Sequence, residues 1–255
     1  MYNSLQLREL FHLEFLRWFG RKTKANFYAL KGGSNLRFFF NSFRYSEDMD
    51  LDIREVEVNV LKDTVMQILK TSSFCDILKS FGIVEIVPPN ITRAKQTETT
   101  QRFKVHLLTS AGEDLFTKIE FSRRGFKGRV VTQPVEDIVL RMYKLVPLLV
   151  PHYDIQSAII QKIEALAGRT VIQARDIFDL YVLNSQYDPL KIKKTGVTRE
   201  RAKKAYENIF AVNFEQFRDT VVFYLSHEDQ AVYNSAVIWD EIRLKVSNSI
   251  ERMKA

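Results

Sequence analysis

The hydrophobic and polar positions of the first fifty residues predict a helix, a glycine break and a strand. In residues 5–19, apolar side chains recur at the three- and four-residue spacing of an amphipathic helix. The pair Gly32-Gly33 then breaks the pattern, and Ser34 is placed to cap a short helix over residues 35–40. In residues 48–54, acidic and apolar side chains alternate, which predicts a strand.

The remaining pattern divides the chain into a mixed front half and a helical back half. Residues 56–71 have helical spacing, residues 102–108 and 115–122 alternate as strands do, and residues 135–144 fit either structure. From Ile155 onward the spacing is mainly helical, with helices predicted at 198–209, 214–225 and 231–254. We therefore predict an α/β (α+β) architecture with a mixed-sheet core domain at 1–150 and a helical domain at 151–255.

Composition and charge place the chain among water-soluble globular proteins. It has 255 residues, of which 45% are hydrophobic and 27% charged. No apolar run approaches the length of a membrane-spanning helix, and the N-terminus lacks the pattern of an export signal. The single cysteine, Cys75, has no internal disulfide partner, so we expect a cytoplasmic protein. A net charge of +7 favours polyanionic partners such as RNA and nucleotides.

Three carboxylates occupy alternate positions of the strand predicted at residues 48–54. Alternate side chains share one face, so Asp48, Asp50 and Asp52 follow one another at Cα steps of about 6.6 Å. Like charges at this spacing repel each other unless a cation lies among them. The opposite, apolar face carries Met49, Leu51 and Ile53. The alternative to a cation site is an exposed edge strand whose polar face is acidic.

The segments around this strand favour metal-assisted phosphoryl or nucleotidyl transfer. Backbone N–H groups at a glycine turn that opens a helix bind phosphate, and Gly32-Gly33-Ser34 lies upstream. Two carboxylates on a neighbouring strand suit Mg²⁺, which binds carboxylates and substrate phosphates together. Glu120, in the predicted strand 115–122, offers a third carboxylate. Alternatively, Glu120 faces outward and pairs with Lys118 or Arg102.

Two motifs in this order resemble those of a known family. Residues 44–51, R-Y-S-E-D-M-D-L, together with the upstream glycine pair, resemble the first motif of the AbiEii-type nucleotidyltransferases. These are the toxins of abortive-infection toxin–antitoxin systems, within the DNA-polymerase-β-like nucleotidyltransferase superfamily. Lys162, A-L-A-G-R at 165–169 and R-D-I-F-D-L at 175–180 are similar to the family's later motif. Gln161 departs from it, because the family often has an acidic residue before the lysine.

The resemblance implies a nucleotidyltransferase-type core and a role for each matched residue. The S-x-D-x-D-L frame selects Asp48 and Asp50 as Mg²⁺ ligands, and Glu120 becomes the third carboxylate, which activates the attacking hydroxyl. Asp52 then lies beside the metal pair or at the surface, although the Asp50–Asp52 pair satisfies the looser superfamily pattern equally well. The residues implied to bind the nucleotide are Gly32, Gly33, Ser34, Ser46, Lys162 and Asp176.

Lys162, Asp176 and Asp179 allow two interpretations. The two aspartates are three residues apart and share one helix face. Spacing alone favours a structural ion pair that joins Lys162 or Arg169 to one of the aspartates. The family resemblance instead implies that Lys162 faces the triphosphate and that Asp179 orients it. Which aspartate takes part in catalysis stays open at this point.

Two basic segments are candidates for RNA contacts. Residues 122–129, S-R-R-G-F-K-G-R, place an aromatic ring among four cations, which are Arg123, Arg124, Lys127 and Arg129. Residues 191–204 carry seven basic side chains against one glutamate. Such cations bind phosphate without sequence preference, and an aromatic ring stacks on a base. Solvated loops are the alternative for both segments; the first is the better candidate because it follows the strand of Glu120.

Together, the residues and the resemblance imply a Mg²⁺-dependent transfer of a nucleotide monophosphate from an NTP to an acceptor. The family implies RNA as acceptor, notably the tRNA acceptor end, a role in phage defence, and a separately encoded antitoxin as partner. Two other functions fit the same residues. One is a regulator that binds NTP or RNA without catalysis, and the other is an enzyme that modifies a protein or a small molecule.

Overall fold

The computed structural model describes residues 2–92, 94–187 and 197–253. The chain divides into two compact units. The first comprises Met1–Phe39 and Tyr45–Tyr153, and the second comprises Phe40–Arg44 and Asp154–Ala255. The sequence analysis placed its division after residue 150, and it did not anticipate that residues 40–44 belong with the C-terminal unit.

The first unit is built on a seven-stranded mixed sheet. Its strands are β1 (Tyr28–Lys31), β2 (Met49–Ile53), β3 (Ile83–Val87), β4 (Thr100–Thr109), β5 (Asp114–Ser122), β6 (Val130–Pro134) and β7 (Leu149–Tyr153). They lie in the order β3-β4-β5-β2-β1-β7-β6. β2 pairs antiparallel with β1 and parallel with β5. The acidic strand is therefore internal, and the alternative of an exposed edge strand is wrong.

Five helices of the described residues accompany this sheet: α1 (Ser4–Lys22), α2 (Gly32–Phe39), α3 (Val58–Lys70), α4 (Ser72–Lys79) and α5 (Asp137–Met142). The apolar stripe predicted for residues 5–19 is the buried face of α1, which packs against α3, α4 and β5. Phe19 meets Tyr28 edge-on at 5.0 Å and lies 5.3 Å from Phe121, measured between ring centroids. This aromatic packing supports the middle of the sheet.

The second unit is helical, as predicted. Its helices are α6 (Ile155–Gly168), α7 (Ala174–Gln186), α8 (Arg199–Ile209), α9 (Phe214–Thr220), α10 (His227–Tyr233) and α11 (Ala236–Met253). The fully buried Trp239 stacks on Phe217 at 4.3 Å, and its indole N–H donates to the carbonyl of Val212 at 3.2 Å. No helix in the described part of the chain is both long enough and apolar enough to cross a membrane.

Three predicted helices differ from the structure, and one segment that fitted two structures is assigned. The helix predicted at 214–225 is divided into α9, which ends at Thr220, and a 3₁₀ turn at Val222–Tyr224. The helix predicted at 35–40 begins at Gly32 instead, because a φ of +69° at this glycine turns the chain from β1 directly into α2. Residues 135–144, which fitted two structures, contain α5. The helix predicted at 231–254 is divided, since α10 ends at Tyr233 and α11 starts at Ala236.

Candidate active site

Asp50 lies at the centre of the sheet, between two other strands. Its register partners are Lys31 on the antiparallel β1 and Glu120 on the parallel β5. The alternating sequence produces this position, because Met49, Leu51 and Ile53 are at most 1% exposed and anchor the opposite face of β2 in the core. Asp50 and Glu120, which the sequence assigned to one site, therefore lie side by side on the paired strands β2 and β5.

The glycine turn packs directly against Asp50. A Cβ atom placed on Gly32 would lie 3.0 Å from Oδ2 of Asp50, and the φ of +69° already disfavours any side chain there. Gly32 is the first residue of α2, whose N-terminus presents unpaired backbone N–H groups. The turn thus brings a helix N-terminus, which favours anions, next to the carboxylate of Asp50.

Two serine hydroxyls hold the backbone immediately before β2. Ser46 donates to the carbonyl oxygen of Asp48 at 2.7 Å, and Ser34 donates to the same oxygen at 3.1 Å. Ser34 is 1% exposed and lies inside α2, so it is not the helix cap that the sequence predicted. Both serines fix the position of Asp48 in the structure.

A third hydroxyl fixes the preceding residue. Thr117 of β5 donates to the carbonyl of Glu47 at 2.8 Å. Nε2 of the buried His12 lies 2.7 Å from the same hydroxyl oxygen. Since the threonine proton is already donated, His12 carries its proton on Nε2 and donates it to this oxygen. Burial, with a smaller contribution from the Arg8 charge, lowers the pKa of His12 to about 3, so the ring is neutral.

Cations balance the acidic face of the sheet. Nζ of Lys118 lies 2.9 Å from Oδ2 of Asp48 and 4.0 Å from Oε2 of Glu120. Arg102 on β4 also donates to Oε2 of Glu120. The sequence analysis left open whether Glu120 pairs with Lys118 or Arg102, and the structure places both beside it. Lys118 demonstrates that a cation fits between the carboxylates of Asp48 and Glu120.

The carboxyl group of Asp50 has a perturbed pKa. Burial raises its pKa, the ammonium groups of Lys118 and Lys31 oppose that change, and the charges of Glu120 and Asp48 add to it. The net shift is upward. The carboxylate of Asp50 therefore stands in an environment that a further bound cation would stabilise.

Asp52 has a different environment from the other two aspartates. It is 4% exposed and accepts a hydrogen bond at 2.5 Å from each of two donors, Nζ of Lys31 and the hydroxyl of Tyr153. Burial, followed by these contacts with Asp52, raises the pKa of the Tyr153 hydroxyl. The carboxylate of Asp52 is thus occupied by partners of its own within the sheet.

The carboxylate oxygens of Asp48 and Asp50 are the kind of ligand that Mg²⁺ prefers. No three His, Cys, Asp or Glu side chains of the described residues form a preassembled metal site. Mg²⁺ at phosphoryl-transfer sites is typically held by one or two carboxylates and completed by substrate phosphates and water. Asp48 and Asp50 suit that mode, because Asp50 lies beside the glycine turn and the carboxylate of Asp48 already holds a cation, the ammonium of Lys118.

A second charged cluster is buried within the helical unit. Nζ of Lys162 lies 2.6 Å from Oδ2 of Asp179 and 3.0 Å from Oδ1 of Asp176. Arg44 binds both oxygens of Asp179, at 3.0 and 3.1 Å, and Arg169 lies 3.0 Å from Asp176. Both aspartates are fully buried. The structural ion pair that spacing favoured is therefore present, and it is larger than expected because Arg44 joins it.

Lys162 and Asp179 of this cluster are held in their charged forms. Burial by itself would lower the pKa of Lys162, but Asp179 and Asp176 raise it, and the net shift is upward. Burial opposes ionisation of Asp179, yet Arg44 and Lys162 bring the pKa of Asp179 below its ordinary value. Two aspartates are thus balanced by three cations, which leaves one positive charge in excess.

The basic segment after β5 is only partly exposed. Arg123 points inward and donates to the side chain of Gln101 at 3.0 Å and to the carbonyl of Val56 at 2.6 Å. Arg124, Lys127 and Arg129 are exposed. Phe126 lies under the guanidinium of Arg54 at 4.5 Å. Of the second basic segment, residues 191–196 lie outside the described residues, and Arg199–Lys204 begin α8.

The sheet, the central acidic pair and the glycine turn define a nucleotidyltransferase. The family model described as "Nucleotidyl transferase AbiEii toxin, Type IV TA system" matches residues 14–232. The chain therefore belongs to the AbiEii family of nucleotidyltransferase toxins, which is a toxin–antitoxin family. The recognition made from the two motifs is confirmed.

Solved structures share the fold at low sequence identity. MenT4, a nucleotidyltransferase toxin from Mycobacterium tuberculosis, superposes with a TM-score of 0.63 at 14% identity, over 99% of this chain and 94% of its own. JHP933 from Helicobacter pylori superposes with a TM-score of 0.56 at 19% identity, over 97% and 95%. No curated protein matches the sequence significantly.

Some residues that hold these clusters were missed or only partly recognised from the sequence. Lys118 was named as an alternative partner of Glu120 but not of Asp48, although it precedes Glu120 by two residues on the same strand and so shares its face. Arg44 lay inside the quoted motif but received no role. Tyr153 gave no local signal, since it reaches Asp52 from 101 positions away along the chain.

Proposed function

We propose that this toxin transfers a nucleotide monophosphate from an NTP to an RNA acceptor, notably the acceptor end of tRNA, with Mg²⁺ and release of pyrophosphate. One observation carries the proposal. Asp50 stands in register with Glu120 on a parallel strand while the glycine turn at Gly32 packs against its carboxylate. This arrangement supports the proposal because it brings the proposed metal ligands and the proposed phosphate-binding turn to one point of the sheet.

Asp48 and Asp50 are the residues proposed to hold Mg²⁺, with Glu120 as the third carboxylate. When bound there, the ion supplies charge neutralisation at the transferring phosphoryl group. Lys118, which lies between Asp48 and Glu120, contributes a fixed positive charge to the same place. The serine hydroxyls of Ser34 and Ser46 keep the Asp48 backbone in position for this role.

The chain's own groups account for binding and for one proton transfer. Backbone N–H groups of Gly32, Gly33 and the first turn of α2 would bind the triphosphate. Glu120 would accept the proton of the attacking hydroxyl, with Arg102 holding the carboxylate in place. The excess positive charge of the second cluster supports a triphosphate role for Lys162, with Asp176 and Asp179 orienting its ammonium group.

The acceptor and the partner follow from the family and from charge. A net charge of +7 and the exposed cations Arg124, Lys127 and Arg129 suit an RNA acceptor. Arg123 would act there indirectly, because it anchors the loop through Gln101 and Val56. A type IV toxin–antitoxin family implies a cognate antitoxin, and growth arrest of phage-infected cells is the corresponding biological role.

Label transfer tests the proposal. Purified protein is incubated with Mg²⁺, each of the four α-labelled NTPs in turn, and either tRNA, a tRNA that lacks its terminal nucleotides, or no RNA. We expect label on intact tRNA with one preferred NTP, and loss of labelling when Mg²⁺ is chelated.

The other results would contradict particular parts of the proposal. Label on protein alone would keep the transfer chemistry but move the acceptor from RNA to protein. NTP binding without label on any acceptor would contradict nucleotidyl transfer to these acceptors. Equal labelling of the truncated tRNA would contradict the terminal acceptor site.

A further inference from the structure

A cavity of about 430 Å³ lies in the helical unit between α7 and α11. This volume is within the range of small-molecule sites. Its lining is polar and includes Tyr181 and Asn184 from α7 and Lys245, Ser249 and Arg252 from α11. None of these residues belongs to the acidic strand or to the Lys162 cluster, so the cavity needs an explanation of its own.

Two polar atoms of this lining are buried without a hydrogen bond to any of the described residues. They are Oδ1 of Asn184 and Oγ of Ser249, and the whole side chain of Ser249 is only 8% exposed. Buried polar atoms are normally paired, because leaving one unpaired costs the free energy of its lost hydration. Neither atom is accessible to solvent, so each side chain would have to turn toward the cavity to meet a hydrogen-bonding group of a ligand.

The lining is also positively charged. Within the described ranges, neither Lys245 nor Arg252 forms an ion pair, and no acidic residue lines the cavity. Nζ of Lys245 lies 5.6 Å from the centre of the Tyr181 ring. Two uncompensated cations beside an aromatic face make a site for an anion that carries a flat ring.

We propose that this cavity binds a phosphorylated nucleoside. The phosphate would lie between Lys245 and Arg252, and the base would stack against Tyr181. The unpaired atoms of Asn184 and Ser249 would hydrogen-bond the base or the sugar. Either a nucleotide of a single-stranded RNA or a free nucleotide has this chemistry. The site is separate from the proposed catalytic groups, and its existence does not depend on their activity.

Binding measured in EDTA tests this site apart from metal-dependent NTP binding. The probes are a fluorescein-labelled 12-nucleotide single-stranded RNA, followed by anisotropy, and AMP, followed by calorimetry, both with the full chain. The pocket variant is Lys245→Gln with Arg252→Gln. Its control is Lys70→Gln with Lys79→Gln, which removes the same charge from helix ends of the first unit. Thermal melting verifies that each variant folds.

We expect the pocket variant to lose at least about tenfold in affinity for one of the two probes, and the control to stay within about twofold. A loss with RNA, accompanied by a salt dependence shallower by about 1.4 in log–log slope, assigns an RNA strand. A loss with AMP assigns a free nucleotide. Unchanged binding of both probes, or an equal loss in the control, would overturn the proposal.

Ser249→Ala is a second test variant, and this substitution does not change the charge of the cavity. It removes a buried hydroxyl that has no partner, so the melting temperature should stay the same or rise. Affinity for the probe that responds to the pocket variant should fall by about two- to tenfold, the value of one hydrogen bond. Unchanged affinity for that probe would contradict the assignment of Ser249 to the ligand.

Discussion

At the scale of single residues, the candidate site depends on one glycine as much as on its carboxylates. Gly32 supplies both a positive φ and the space that Oδ2 of Asp50 occupies. Either requirement alone excludes most side chains. Gly32 meets both, and it lies between the end of β1 and the acidic strand. A substitution at this position should therefore lower both the transfer activity and the stability, and the two effects can be measured separately.

Gly32→Ala should lower transfer activity by at least about tenfold, because the added Cβ displaces the Asp50 carboxylate. The matched control is Gly112→Ala, which has a φ of +82° and nothing within 4 Å of the new Cβ. Both variants should lose about 1–2 kcal/mol of stability through backbone strain. Activity is measured per folded molecule, and equal activity in the two variants would contradict the role assigned to Gly32.

The sequence located these residues but did not define what each one touches. The motif frame indicated Asp48 and Asp50, and the glycine pair indicated the turn. Ser34 was expected as a helix cap, yet it holds the Asp48 carbonyl from inside α2. Asp52 was expected beside the metal pair or at the surface, yet it is buried by Tyr153 and Lys31. These contacts depend on strand pairing, which a local pattern does not contain.

At the scale of elements, buried polar contacts join neighbouring helices and strands. Lys162 of α6 forms ion pairs with two aspartates of α7, and His12 of α1 forms a hydrogen bond with Thr117 of β5. Periodicity predicted most of the helices and the strands β2, β4 and β5, but not β1, β3, β6 or β7. Their pairing was not predictable, because β2 and β5 are parallel neighbours that are separated by α3, α4, β3 and β4 along the chain.

Lys162→Met should destabilise the helical unit by about 3–5 kcal/mol, since it leaves buried carboxylates with fewer cations. Lys203→Met, at an exposed pair with Glu207, should cost less than about 1 kcal/mol. Urea unfolding followed by Trp239 fluorescence, in a Trp18→Phe background, measures both values. A loss below about 1 kcal/mol for Lys162→Met would contradict a stabilising role for this cluster.

His12 should make the stability of the first unit depend on pH. Its pKa is about 3 in the folded protein and near 6.5 when unfolded, so the unfolded chain binds the extra proton between these values. Stability contributed by the neutral ring is complete above about pH 6.5 and is lost as the pH falls toward 3. The expected slope reaches about 1.4 kcal/mol per pH unit.

Urea midpoints at a series of pH values between 4 and 7.5 measure this dependence. His12→Gln keeps a donor for Thr117 but does not titrate, so its stability profile should be flatter over this range. An identical profile in the wild type and His12→Gln would contradict the assignment.

At the scale of the whole molecule, family membership and fold agree, although the two solved structures that share the fold are only 14–19% identical in sequence. The net charge of +7 does not indicate where the acidic site lies. Within that site, the negative charges are paired locally with Lys31, Lys118 and Arg102. The motifs were sufficient to recognise the family. They could not reveal the cavity between α7 and α11, which arises only when the two helices pack.

Asp48 and Asp50 are the aspartates proposed to support nucleotidyl transfer, whereas Asp52 is not. The most direct test measures the rate of label transfer from the preferred α-labelled NTP for Asp48→Asn, Asp50→Asn and Asp52→Asn, each corrected for its folded fraction. We predict a loss of about a thousandfold or more for the first two, which corresponds to several kcal/mol of lost charge stabilisation. Asp52→Asn should stay within about tenfold of the wild type. Retained transfer in Asp48→Asn or Asp50→Asn would contradict the assignment of the catalytic pair.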